Sequence, residues 1–214
     1  MSSFRGYTVA KRAVLVANKS VTVSMESLQG LTYKQQLLSL YKRFYRLRVY
    51  QTDAHDLKNY SQLLRRKFTT EKFSLKRQIF LPTDESISPE QLVRRAVNTL
   101  EFVQNSVVFN DTPENQNFIK GTSSKPYEPR VESKVLSTIL SMEGRTDTTI
   151  KCDPNYRWMS ELEDKILSKI SSTEENELEY KKTFRKHEST MSYLGYRDYN
   201  QNLIRFNECF QLCL

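Results

Sequence analysis

The chain has 214 residues, 38% of them apolar and 27% charged, with a formal net charge of +8. That length suffices for one domain with a real core, or one compact domain with tails. Five glycines and six prolines argue against a turn-rich sandwich or barrel, three cysteines argue against a disulfide framework, and no apolar run approaches the ~18 residues of a membrane span.

The first carboxylate is Glu26, and Arg5, Lys11, Arg12 and Lys19 precede it. A basic, Ser-bearing, acid-free leader is the pattern of a mitochondrial transit peptide. A disordered basic tail has the same composition, so residues 1–30 are expected to be one or the other. The cysteines, Cys152, Cys209 and Cys213, lack metal-site spacing and are expected to be reduced, inert thiols.

Three helices are predicted next, within residues 31–110. The first runs from about Tyr33 to Tyr50, with Leu37, Leu40, Tyr41, Phe44 and Leu47 at the 3–4 spacing of one apolar face. Thr52 and Asp53 are suited to cap the second, where Leu57, Tyr60, Leu64 and Phe68 repeat the pattern and Phe73, Leu75 and Ile79 extend it. Ser88-Pro89-Glu90 opens the third, with Pro near the first helical position. Val93, Ala96, Val97, Leu100, Val103 and Val107 form its apolar side. Three amphipathic helices on short connections predict a small bundle. The Pro-, Gly- and Asn-bearing stretch 111–130 reads as a loop.

Residues 131–214 read as a C-terminal helical extension. VESKVLSTILSM is a short helix expected to close at Gly144, and RWMSELEDKILSKI is a second amphipathic one. The polar run STEENELEYKKTFRKHEST is an exposed helix or disordered, and the aromatic tail SYLGYRDYNQNLIRFNECFQLCL is expected to dock. The fold class is therefore all-α.

Charge is concentrated. Between Leu37 and Phe80 stand eleven Lys/Arg and three Asp/Glu, an excess of eight that equals the net charge of the whole chain. Such a patch points to an acidic or polyanionic partner. Its densest part, LSLYKRFYRLRVY, holds four basic and four aromatic residues in thirteen positions. Two functions fit it. Arg43, Arg46, Arg48, Arg65, Arg66 and Lys67 could neutralise phosphates while Tyr45, Tyr50 or Phe73 stack on bases, or the cations could meet the carboxylates of an acidic protein. No phosphate-cradling glycine loop, nucleophile elbow or metal-spaced His/Cys set is present, so an enzyme is not expected.

Two resemblances sharpen the expectation. Leu40-Tyr41-Lys42, followed by Phe44 and Arg46, resembles the Leu-Tyr-Arg signature of the mitochondrial LYR proteins, and Arg65-Arg66-Lys67-Phe68 resembles the basic-Phe run of their second helix. Those are small three-helix adaptors for the mitochondrial acyl carrier protein. The resemblance spans residues 33–108 and departs at Lys42, where the family has arginine. It implies an LYR-like three-helix bundle with additional C-terminal helices. It also implies a partner face of Leu40, Tyr41, Lys42, Arg43, Arg46, Arg65 and Arg66. Phe44, Phe68 and Leu100 would then line the core or a channel for the partner's acyl-phosphopantetheine, with no cofactor bound directly.

KRFYRLR, YSQLLRRKFTTEKFSLKRQIF, NTLEFV and KVLSTILSM, in that order, resemble segments of the increased recombination centres protein 19 family of budding yeasts, over residues 38–142. This implies a non-enzymatic mitochondrial protein involved in maintenance of mitochondrial DNA, respiratory growth and sporulation, contributing to genome integrity. A matrix location follows, with an acyl carrier protein as first partner. A nucleic acid or a mitoribosomal assembly is the alternative.

Overall fold

The computed structural model describes residues 23–51, 54–81, 86–108, 110, 112–119, 121, 127–162 and 188–214. Residues 1–22, the cap positions Thr52 and Asp53, the second half of the expected helix RWMSELEDKILSKI and most of the polar run after it lie outside them. Ten α-helices and no strand occur among the described residues, so the fold is all-α. The chain divides into two units, residues 1–69 with 87–145 and residues 70–86 with 146–214.

In the first unit, helix α1 (Met25–Leu28) leads into α2 (Tyr33–Leu47), and a 3-10 turn follows over Arg48–Tyr50. Thr32 starts α2 with a capping box: its hydroxyl accepts the Gln35 N–H, and the Gln35 amide oxygen accepts the Thr32 N–H at 2.9 Å. Helix α3 (Ala54–Thr69) comes next. The chain returns to this unit in α5 (Pro89–Val107), where Ser88 and Gln91 form a second capping box and Pro89 supplies a fixed φ with no N–H to waste.

The bundle has four long helices where the sequence predicts three. Helix α7 (Val131–Arg145) packs against both α3 and α5, and α2 packs against α3 and α5, so the neighbours close a ring. Its core is made by Leu40, Phe44 and Leu47 of α2, Tyr60 and Leu64 of α3, Val93, Ala96, Leu100, Val103 and Val107 of α5, and Leu136, Ile139 and Leu140 of α7. The boundary between bundle and extension therefore falls after Arg145.

Two buried polar side chains of this unit bond from one helix to another. The Tyr60 hydroxyl donates to the Phe44 carbonyl at 2.8 Å, and burial pushes its ionisation well above the ordinary tyrosine range. Asn59 donates to the Leu140 carbonyl at 3.0 Å. Gly144, expected as a terminator, lies inside α7 instead. It is needed for close approach, because a Cβ there would sit 2.6 Å from Asn59 Nδ2.

The stretch read as a loop contains a short helix, α6 (Pro113–Ile119). Thr112 caps it and Pro113 sits at its first position. Asn115, fully buried, donates to the Asn110 and Glu128 carbonyls and accepts the Glu128 N–H, which ties the two ends of the excursion together.

The second unit begins with α4 (Phe73–Phe80), which the apolar spacing assigned to the end of α3. The break falls at two β-branched threonines, where the Thr69 hydroxyl donates back to the Arg65 carbonyl and Lys72 is extended. Helices α8 (Thr148–Lys151), α9 (Arg157–Leu162) and α10 (Glu188–Phe210) follow among the described residues of the unit. Helix α10 packs on α4 and on α9. Phe80 sets an edge against Tyr156 at 6.0 Å and meets Trp158, which meets Tyr196 at 5.5 Å. These rings form an aromatic core. Buried Arg77 is neutralised by Glu208 at 3.0 Å, and buried Lys76 by Glu71 at 3.6 Å.

The aromatic tail is mostly one helix with a built stop. Gln211 adopts a left-handed φ of 52°, its N–H reaches the Glu208 carbonyl, and the Leu212 N–H reaches that of Asn207 at 2.8 Å. This is a Schellman closure. The Asn207 amide then donates to the Leu214 carbonyl and accepts its N–H, both at 3.0 Å. Only glycine takes a left-handed conformation without strain. Gln211→Gly is therefore expected to stabilise this unit by about 0.5–1 kcal/mol, read as a raised denaturant midpoint with unchanged slope. A lowered midpoint would mean that the Gln211 side chain outweighs the strain.

Candidate functional site

Between Glu26 and Asp53 there is no carboxylate, while Lys34, Lys42, Arg43, Arg46 and Arg48 all stand there. Helix α2 is therefore cationic along its length, and its capping box and buried side fix which cations turn outward. At about 100° per residue, Leu40, Phe44 and Leu47 face the core and Lys42 and Arg46 the opposite side. Both are exposed, and so is Arg65 on α3.

Several expected contact residues make contacts within the unit. Leu40 is fully buried among core side chains and is not available to a partner. Arg43 is half-buried and donates to the Ser39 hydroxyl one turn back at 2.8 Å. Arg66 points away from α2, where its Nη2 pairs with Glu143 of α7 at 2.7 Å. The Arg48 guanidinium lies 3.5 Å from the centroid of the Tyr45 ring, a cation–π contact.

Aromatic rings fill the seam between α2 and α3. Tyr41 sets its ring edge-on to Phe68 at 5.3 Å and stacks along the helix on Tyr45 at 6.0 Å, while Phe68 also meets Phe44 at 5.9 Å. Phe44 and Leu100 are buried, and Phe68 and Tyr41 are half-buried. Of the three residues expected to line a core or channel, Phe68 is thus the one that reaches the surface.

The arrangement can hold an acidic surface by charge and present a rim of rings beside it. The 3–4 spacing of the inward side passes over further apolar residues on α2 and at its ends. Leu31, Leu38, Tyr45 and Val49 are 40%, 51%, 43% and 57% exposed. A seven-residue step links Leu31, Leu38 and Tyr45, and that period was the available signal. Elsewhere, no helix among the described residues is long and apolar enough to cross a membrane, and no disulfide joins the three cysteines.

Over residues 8–214 the chain matches the family described as increased recombination centres protein 19, so the match extends past both ends of the segment whose motifs carry the resemblance. No curated protein and no solved structure matches it. With nearly its whole length matched, the chain belongs to the increased recombination centres protein 19 family, a membership that points to a role in recombination and genome maintenance.

Proposed function

We propose that this chain is a non-enzymatic adaptor of the mitochondrial matrix that serves maintenance of mitochondrial DNA, respiratory growth and sporulation by docking an acidic acyl carrier protein on the outward side of α2 and α3. The observation that supports this is a helix without carboxylates whose Lys42 and Arg46 are exposed, beside exposed Arg65. Opposite charges arranged this way speed encounter and fix register. In this reading Lys42, Arg46 and Arg65 carry the contact, with Tyr41 at its edge. Arg43 and Arg66 hold the helices that present it. Acyl-phosphopantetheine on the partner is the only cofactor involved, and its chain would enter beside Phe68 towards Phe44 and Leu100.

A protein is favoured over a nucleic acid by what surrounds Tyr45. Arg48 covers one face of that ring and Tyr41 stacks beside it, which leaves it a poor platform for a base. Pull-down of the carrier protein with the full chain and with Lys42→Glu plus Arg46→Glu tests the reading. Recovery at least about tenfold lower with the double variant is expected. Equal recovery from both, or none from either, overturns it.

A further inference from the structure

Helix α2 is apolar on two sides, and only one of them is used by its own unit. The inward side holds Leu40, Phe44 and Leu47. On the outward side, Leu38 and Tyr45 lie within about 20° of each other on the helix. Leu31 stands just before the Thr32 cap and Val49 in the 3-10 turn after the helix, one beyond each end of it. The helix between them has 15 residues, about four turns. Single exposed apolar residues need no explanation, but Leu38 and Tyr45 one heptad apart on the helix, with Leu31 and Val49 beyond its ends, suit packing against another helix.

The flanks identify the occupant. Lys34, Lys42 and Arg46 border the row, all three are exposed, and no acid occurs between Glu26 and Asp53. A second copy of the chain would set this cationic border against itself, and like charges at such flanking positions oppose pairing. A nucleic acid would satisfy the cations but leave Leu38 and Val49 against phosphate and sugar. An amphipathic helix with Leu-type residues on one side and Asp or Glu beside them satisfies both features.

We infer that Leu31, Leu38, Tyr45 and Val49 form a lengthwise docking groove for an acidic amphipathic helix of a partner protein, with Lys34, Lys42 and Arg46 pairing its flanking carboxylates. This deepens, and rests on, the reading of α2 as an acidic-partner face. It adds that the contact is a helix lying along α2, held by apolar burial as well as charge.

The test uses a fluorescent synthetic peptide of about three heptads, with Leu at the two seam positions and Glu at the flanking ones. Its own like charges keep it from self-pairing. A control carries Lys at the flanks. The full chain is expected to bind the Glu peptide at least about tenfold more tightly than the Lys peptide, and Leu38→Ser with Val49→Ser is expected to weaken that binding at least about tenfold. Both substituted residues are exposed, and an unchanged thermal transition confirms folding. Equal binding of the two peptides, or unchanged binding by the serine variant, overturns the groove. Self-association that the same variant abolishes overturns it in favour of a second copy. Carrier protein bound undiminished by the serine variant, yet lost with Lys42→Glu plus Arg46→Glu, rejects the groove and leaves the adaptor reading standing. Stripe-dependent peptide binding without carrier-protein binding rejects that adaptor partner and leaves the groove.

Discussion

Leu100→Ala is expected to lower the stability of the four-helix unit by about 3–4 kcal/mol. Leu100 is 1% exposed in α5, the helix that packs on both α2 and α7. Removing its isobutyl group forfeits the transfer free energy of the lost atoms and leaves a cavity that ring-packed helices can close only in part. Denaturant titration reads the loss as a lower midpoint for this unit, with an unchanged slope. The experiment also separates two roles of Leu100. The full loss means that Leu100 is close-packed in the free chain and that an acyl path towards it opens only on binding, whereas a loss under about 1 kcal/mol would mean that the path already exists.

Arg66→Ala is expected to cost about 3 kcal/mol or more. The side chain of Glu143 is 5% exposed and that of Arg66 11%, with 2.7 Å between Arg66 Nη2 and Glu143 Oε2. Taking away the guanidinium removes this ion pair from a buried carboxylate, whose desolvation is then repaid far less. Replacing both, Arg66→Met with Glu143→Leu, should recover most of the loss, since an apolar pair of similar volume has no charge to desolvate. The double-variant cycle gives the coupling between them. Single variants that cost no more than a surface pair, under about 1 kcal/mol, would show that the pair is solvated in solution. Arg66 would then be open to a partner after all.

Much of the first unit was legible because one helix turn decides it. Leu40, Phe44 and Leu47 of α2, the Ser88-Pro89 start of α5 and its Val93, Ala96, Leu100, Val103 and Val107 follow from spacing and capping chemistry and hold, while Leu37, Tyr41 and Val97 of the same expected faces are only half-buried. What spacing could not supply was distance along the chain. Glu143 meets Arg66 from 77 residues away, so a basic run read as a patch loses one member to the core boundary. For the same reason α7 looked like the start of an extension. Nothing local in VESKVLSTILSM says that it closes a ring with α3 and α5. The excursion before it was read from its Pro, Gly and Asn content, yet Asn115 turns that composition into a tied turn of structure.

The break between α3 and α4 was missed for a different reason. Leu75 and Ile79 keep step with Phe68 closely enough to pass for one apolar face, while the Thr69 hydroxyl bonding to the Arg65 carbonyl marks the end, and α4 buries Phe73 and Phe80 instead. The outward row on α2 was hidden by its neighbours, because Tyr45 and Leu38 sit among Lys and Arg that draw attention to charge. Basic-aromatic interleaving therefore had two meanings in one helix. Its inward rings build the seam with Phe68, and its outward apolar residues form a row bordered by cations.

Family membership places the chain with recombination and genome maintenance, and the adaptor reading states how a cationic helix could serve that role without touching DNA. The most direct measurement is a competition titration. The full chain, bound to labelled acyl carrier protein, is challenged with duplex DNA at low and at near-physiological salt, and the series is repeated with Lys42→Glu plus Arg46→Glu. The account predicts that the carrier protein stays bound at the higher salt, that DNA displaces it poorly there because phosphate contacts weaken steeply with ionic strength, and that the charge variant loses the carrier protein. DNA binding that survives the higher salt, displaces the carrier protein and is lost in the same variant would contradict it.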